Sequence, residues 1–203
     1  MILEILTFPN PKLRELSKPV KEVTEELVLY SQSMLETMYD SRGVGLAAPQ
    51  VGRLDRMIVI DTRPHDDEGK PTEEGMTELE KGVQYPLVLI NPEIKVKEGK
   101  TVYGEGCLSV PGYVENVERA NYVEVDYLNT KGEKIRIKSD GLLAICIQHE
   151  IDHLDGKLFI DRLSFLKSNR IKDRIKKFGY ETKSNEEDGE DSDENSKDNQ
   201  KNL

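Results

Sequence analysis

The sequence predicts an α+β fold. Antiparallel or mixed β-sheets pack around a central helix that carries His149-Glu150-Ile151-Asp152-His153, with one N-terminal and one C-terminal helix. Three observations carry this reading. Strand-type segments follow one another through the middle of the chain, at 57–61, 86–91 and 122–138. Helical periodicity lies in one segment before them and two after them. Strands in runs, followed by helices, speak against a doubly wound parallel sheet.

The first helix is expected over Glu25–Tyr39. Thr24 is its N-cap, Glu25 and Glu26 sit in its first turn where the macrodipole favours acids, and Leu27, Met34, Leu35 and Met38 form its apolar face. Met57–Asp61 and Pro86–Asn91 are short apolar runs of strand type. In Tyr122–Leu128, Val123, Val125 and Tyr127 point one way and Glu124 and Asp126 the other. The Asn129–Gly132 turn then leads into Glu133–Lys138, where Ile135 and Ile137 alternate again, so the pair reads as a hairpin. Gly141 precedes an apolar helix that ends near Gly156. A last helix, about Ser164 to Phe178, is expected to place Leu166, Ile171, Ile175 and Phe178 on one side.

The chain has 203 residues, which suits one domain with a core large enough to need no disulfide framework. We expect a catalytic body over 1–180 and a disordered acidic tail over 181–203. Residues 184–203 hold eight acids, two lysines and one apolar residue, too little apolar surface to offset the entropy of ordering. Residues 62–84 carry seven acids and three bases between two strands and read as a surface insertion. The formal net charge of −10 belongs to these two segments, because acids and bases balance in the rest. An acidic chain argues against nucleic acid as a whole-surface partner. No apolar stretch reaches the roughly 18 residues of a membrane span. The N-terminus lacks the pattern of a secretory signal, so a cytoplasmic location is expected.

The chemistry concentrates at His149 and His153. In a helix, residues four apart lie about 40° apart around the axis and about 6 Å along it, so both imidazoles can reach one metal ion. Glu150 then meets a metal-bound water rather than the metal. A catalytic site of this kind needs a third protein ligand and an open position. No histidine lies downstream, and His65 in the acidic insertion reads as an exposed loop residue. Two thiols remain. Cys146 sits among Leu and Ile, where a free cysteine packs as a small hydrophobe. Cys107, flanked by Gly104 and Gly106, is the better ligand, although taken by itself it reads equally as a buried thiol or as a nucleophile or ligand.

Gly43-Val44-Gly45-Leu46-Ala47-Ala48-Pro49-Gln50, Glu105-Gly106-Cys107-Leu108-Ser109 and His149-Glu150-Ile151-Asp152-His153 resemble the three motifs of the peptide deformylase family, in that family's order. The opening Ile5–Arg14 is similar to the family's N-terminus, and the resemblance covers roughly Met1 to Leu166. It implies removal of the N-formyl group from the starting methionine of nascent polypeptides, with release of formate. It implies that Cys107, His149 and His153 ligate one divalent ion, usually ferrous iron, with zinc, nickel or cobalt able to substitute. A metal lowers the pKa of its bound water, and the resulting hydroxide would attack the formyl carbon. Glu150 would take the proton and later deliver it to the leaving amine. By the same resemblance Gln50 and the Leu108 N–H stabilise the charge on the formyl oxygen. Gly43, Val44 and Gly45 would present backbone to the substrate, with Glu105 and Gly106 beside them. Leu142, Ile145 and Cys146, together with Val44 and His149, are candidate walls for the methionine side chain; ordinary core is an equally open reading for the first three.

Three features depart from the family pattern: the long insertion, the acidic tail, and the lack of an arginine just beyond Pro111. Lys167, Arg170, Lys172, Arg174, Lys176 and Lys177 on the last helix face one acid, Asp173, and suggest a ribosome-docking surface. A membrane partner is not expected. An aminopeptidase-like metallohydrolase and a non-catalytic metal-binding module are the competing readings. The missing downstream ligand speaks against the first, and the lack of a fourth spaced ligand against the second.

Overall fold

A computed structural model describes residues 1–180 of the chain. The expected acidic tail at 181–203 lies outside the described residues. Helix α1 spans Glu25–Asp40, and Thr24 caps it by accepting the Leu27 N–H at 3.3 Å. Its buried side chains Leu27, Met34 and Met38 are the predicted face. Strand β1 (Gly45–Ala47) and strand β2 (Met57–Ile60) follow, then a short helix α2 (Glu78–Lys81) inside the acidic insertion. Strand β3 covers Leu87–Glu98, and β4 (Thr101–Gly106) pairs with β5 (Val114–Arg119) as a separate hairpin. Strands β6 (Tyr122–Leu128) and β7 (Lys134–Ser139) form the predicted hairpin, and the described residues close with α3 (Gly141–Leu154) and α4 (Phe165–Phe178).

The larger sheet runs β1-β2-β3-β6-β7, with every pairing antiparallel. Burial on its two faces explains two sequence patterns. Ile58 and Ile60 of β2 pack with α3, whereas Met57 and Val59 pack with α1. A strand covered on both faces reads as a continuous apolar run. In β6, Val123, Val125 and Tyr127 join the α3 cluster, while Glu124 and Asp126 stay half-exposed, so that strand alternates.

Strand β3 runs past the predicted end at Asn91. Asn91 adopts φ 52, and the register with β6 shifts between Ile90 and Glu93 and again between Ile94 and Val96. A bulge breaks the period-two pattern without ending the pairing, so the apolar run stops seven residues before the strand does.

Helix α4 is shorter in its apolar contact than expected. Ile171 and Ile175 enter a third cluster with Phe8, Leu13, Val110, Val117 and Phe159. Leu166 is 80% exposed and Phe178 65% exposed. Leu166 precedes Ile171 by five residues and so lies about 140° around the axis from it. Phe178 shares the Ile171 stripe but is the last residue of the helix.

Helix α3 is buried from Leu143 to Leu154, and its start is held by the insertion. Asp140 provides no side-chain cap. Instead Glu80 of α2 accepts the Leu143 N–H at 2.9 Å with Oε1 and the Thr77 N–H at 2.9 Å with Oε2. Gly141 stands at φ 58, where a Cβ would fall 2.6 Å from Glu80 Oε2. Residues 62–84 are therefore not wholly a surface loop: Glu80 is buried and caps the central helix. Losing a helix cap costs about 0.5–2 kcal/mol. We expect Glu80→Ala to lower Tm by about 2–6 °C, measured by calorimetry; an unchanged Tm would rule out the capping role.

Candidate metal-dependent active site

Helix α3 presents His149, Glu150 and His153 at 4–8% relative exposure or less, facing the turn after β4 that carries Cys107. Sγ of Cys107 and one ring nitrogen from each histidine lie within 4.8 Å of one another. Cys107 Sγ is 3.2 Å from His153 Nε2. A thiol and two imidazoles in this spacing fit one divalent ion of borderline softness. Burial pushes His153 well below the usual imidazole value, which favours the neutral form that can ligate.

His149 is oriented from behind. Its Nδ1 lies 2.8 Å from Glu105 Oε2, so a proton on Nδ1 leaves Nε2 free to face the cluster. Burial pushes His149 down, but its hydrogen bonds to Cys107 and Glu105 prevail and raise it. Glu105 is in turn gripped by Arg119, which donates from Nε to Oε1 at 2.6 Å and from Nη2 to Oε2 at 2.8 Å. The remaining Arg119 nitrogen, Nη1, donates to Asp152 of α3, and Arg162 donates to both oxygens of Asp152. Burial pushes Glu105 up, yet Arg119 and His149 hold it below the usual carboxylate range. Arg162 and Arg119 do the same for Asp152 against its burial. The sequence reading named neither Arg119 nor Asp152 as part of this machinery. The available signal was Asp152 inside the histidine motif; Arg119 lies across a hairpin that no alternation announced.

Above the cluster lies a cavity of about 580 Å³. Gly43, Val44, Gly45, Gln50, Glu105, Gly106, Cys107, Leu108, Leu142, Ile145, Cys146, His149 and Glu150 all line it. His153 lies behind the wall. His65 is exposed on the insertion, bridged to Pro71 and away from the cavity. Arg42, Tyr103, Gly104, Val110, Pro111, Gly112, Tyr113 and Val114 line the cavity as well, and none of these was a candidate site residue.

Gly45 is constrained by contact. A Cβ there would sit 2.5 Å from Glu150 Oε1 and 2.7 Å from Cys146 Sγ. Glu150 is 4% exposed, its Oε2 has no hydrogen-bond partner among the described residues, and burial pushes its carboxyl up to about 7. Burial, reinforced by Glu150, pushes the Cys146 thiol well up, and Cys146 stands outside the cluster of Cys107, His149 and His153. Gln50 is held in one orientation: Oε1 accepts the Ala47 N–H at 2.7 Å, and Nε2 donates to Ser109 Oγ at 3.1 Å. That leaves the other Nε2 hydrogen toward Cys107 Sγ, 3.7 Å away. Leu108 N–H makes no hydrogen bond among the described residues.

An α+β body whose buried helix sets two imidazoles and a carboxylate against a cysteine, at the foot of a cavity, defines a hydrolase able to hold one metal ion. A family model described as polypeptide deformylase matches residues 2–169. The peptide deformylase of Alkalilimnicola ehrlichii is 46% identical over 176 residues, covering 87% of this chain and 90% of the relative. The crystal structure of a peptide deformylase from Legionella pneumophila is 42% identical, with a TM-score of 0.71, over 87% of this chain and 96% of that one. The peptide deformylase of Ehrlichia chaffeensis, solved in complex with actinonin, is 37% identical with a TM-score of 0.76 and the same coverage of both chains. The chain belongs to the polypeptide deformylase family. Among the described residues, no helix is long and apolar enough to cross a membrane.

Arg119 neutralises two buried carboxylates at once, so its loss leaves Glu105 with His149 alone and Asp152 with Arg162 alone. Removing one partner of a buried ion pair costs about 3–5 kcal/mol. We expect Arg119→Ala to lose at least that much stability in urea unfolding. A loss under 1 kcal/mol would show the network to be dispensable.

Proposed function

We propose that the chain removes the N-formyl group from formyl-methionyl nascent polypeptides, with Cys107, His149 and His153 holding one divalent ion and Glu150 moving the proton. The observation that carries this reading is the convergence of those three donors beneath the cavity, with an unpartnered carboxylate beside them. Ferrous iron is the proposed native ion, with zinc, nickel and cobalt as substitutes. When bound, such an ion lowers the pKa of water and polarises a carbonyl.

The residues do the rest. Glu150, with a carboxyl raised to about 7, is matched to accept a proton from the attacking water at neutral pH. It then delivers that proton to the leaving amine nitrogen as the formyl C–N bond breaks and the new C–O bond forms, giving formate and a free amine. The unengaged Leu108 N–H donates to the formyl oxygen as charge builds on it, joined by the Gln50 Nε2 hydrogen that otherwise lies toward Cys107 Sγ, while the other Nε2 hydrogen stays on Ser109 Oγ. Gly43, Val44 and Gly45 on one side, and Glu105 and Gly106 on the other, flank the peptide with backbone. Leu142, Ile145 and Cys146 wall the methionine side chain. The absence of a side chain at Gly45 keeps the space beside Glu150 Oε1 clear, where a Cβ would fall 2.5 Å away.

An aminopeptidase would need a carboxylate for the free α-ammonium of its substrate. Glu105 is committed to Arg119 and His149, and a formylated amine carries no charge to be met. Formate release should therefore occur from formyl-Met-Ala-Ser, with no cleavage of Met-Ala-Ser. Glu150→Gln should retain its metal by elemental analysis but lose at least about a hundredfold in formate release. Wild-type activity in that variant excludes Glu150 as the proton carrier.

We further propose a cytoplasmic location and contact with the ribosome through α4. Arg170, Lys176 and Lys177 are exposed there, whereas Lys167 pairs with Glu115 and Lys172 with Asp161. Truncating α4 would strip Ile171 and Ile175 from the third cluster, so charge reversal is the cleaner test. The triple change of Arg170, Lys176 and Lys177 to Glu should abolish co-sedimentation with ribosomes. Undiminished co-sedimentation would end the idea.

A further inference from the structure

Among the described residues, the rim of the cavity carries one exposed charge. Among its charged lining residues, Glu105 and Glu150 are buried, whereas Arg42 is exposed. Arg42 closes α1. Its N–H bonds Tyr39 C=O at 3.0 Å, and the Gly43 N–H bonds Met38 C=O at 2.8 Å. These two bonds form the six-to-one and five-to-two closure of a helix end, which places Arg42 at φ 55. Glycine is the default residue at that left-handed position, because a Cβ is strained there. A long cationic side chain held at such a place, on the mouth of a catalytic cavity, points to use of the side chain itself.

The guanidinium of Arg42 makes no ion pair or hydrogen bond among the described residues. Asp61 packs nearby, its N–H bonded to Val44 C=O at 2.9 Å. Its carboxylate is already taken by Arg63 at 2.7 and 3.0 Å and by Tyr39 Oη at 2.7 Å. Asp40, two residues before Arg42, forms no ion pair with it. Tyr103, Tyr113 and Val114, which also line the cavity, bring no charge.

The substrate supplies what is missing. A formyl-methionyl end is neutral, so peptide charge near the mouth arises only from the residues after methionine. Gly45 touches Glu150, which puts the reacting end of the peptide beside Gly45. Arg42 is three residues away, and an extended chain advances about 3.3 Å per residue. A peptide laid along Gly45 to Arg42 brings its second and third residues within reach of the guanidinium.

We propose that Arg42 sets charge selectivity among formylated peptides, favouring those with Asp or Glu at the second or third residue through a charge-assisted hydrogen bond. The proposal rests on the deformylase reading. The test uses the metal-loaded full chain and C-terminally amidated peptides, so that no terminal carboxylate competes. Formate release is compared for formyl-Met-Ala-Glu-amide against formyl-Met-Ala-Gln-amide, and for formyl-Met-Glu-Ala-amide against formyl-Met-Gln-Ala-amide, with kcat and KM determined separately. An exposed pair supports a preference of about fivefold in kcat/KM. It should reside in KM and shrink at high salt. Arg42→Gly suits φ 55 and should fold; its acidic-to-neutral ratio should fall to about one. Arg42→Glu should favour Lys over Glu at the same positions. A purely structural role for Arg42 would alter all peptides alike and leave the ratio in place, which overturns the proposal. Equal rates for both peptides in the wild-type chain also overturn it while leaving the deformylase reading intact. Formate from no peptide overturns that reading and this proposal with it.

Discussion

The structure turns on one buried guanidinium. Arg119 ends the β4–β5 hairpin and reaches Glu105 on its own hairpin and Asp152 on α3. Those bonds fasten the strand leading to Cys107 onto the helix that carries both histidines. Two ligand-bearing elements distant in sequence are thereby fixed at one spacing. The charges are balanced pair by pair: Glu105 and Asp152 against Arg119 and Arg162. A buried ion pair adds little net stability, because desolvation offsets the attraction. Its consequence here is positional. The planar fork of Arg119 fixes the Glu105 carboxylate, and that carboxylate fixes the tautomer of His149.

The same helix is held at its other end by unlike means. Glu80 reaches the first turn of α3 from the insertion, where free N–H groups and the helix dipole favour an anion. Between the two anchors, α3 lies against the sheet through Leu143, Ala144, Ile147 and Ile151. A helix buried nearly all round cannot rotate to present a different face without exposing those residues. The orientation of Glu150 toward the cavity follows from packing and needs no hydrogen bond of its own. That freedom leaves its Oε2 without a partner, and desolvation raises its carboxyl to about 7.

What the sequence disclosed followed from periodicity and spacing. Helix α1, strand β2, the β6–β7 hairpin and α3 were legible because each has a cap, a run or an alternation written in adjacent residues. The β4–β5 hairpin was not. Gly104 and Gly106 interrupt β4, and Val102 and Tyr103 are exposed neighbours, so neither face reads as buried. The cavity lining includes thirteen of the candidate residues, ten of them within the family motifs and three, Leu142, Ile145 and Cys146, on α3 ahead of its histidines. The residues missed are of two kinds. Arg119 acts through a cross-strand contact that no local pattern reports. Arg42 stands where a helix-end rule leads one to expect glycine, and the informative fact is that glycine is absent.

The net charge of −10 takes on a different meaning once Glu80 is placed. Residues 62–84 seemed an acidic appendage on a neutral body, but one of its acids is buried in that body as the cap of its central helix. The boundary between appendage and body therefore falls near Thr77, whose side chain bonds Asp140 and whose N–H bonds Glu80. Residues 65–75 are free of such duty, whereas Thr62 and Arg63 ahead of them bond Tyr85 and the buried Asp61: Gly69 and Gly75 have nothing near them, and His65 to Gly75 is largely exposed. Chain length can vary there without reaching α3. From Thr77 to Gly82 it cannot, because any shift withdraws the carboxylate from the Leu143 N–H and leaves the first turn of the ligand-bearing helix without its anion.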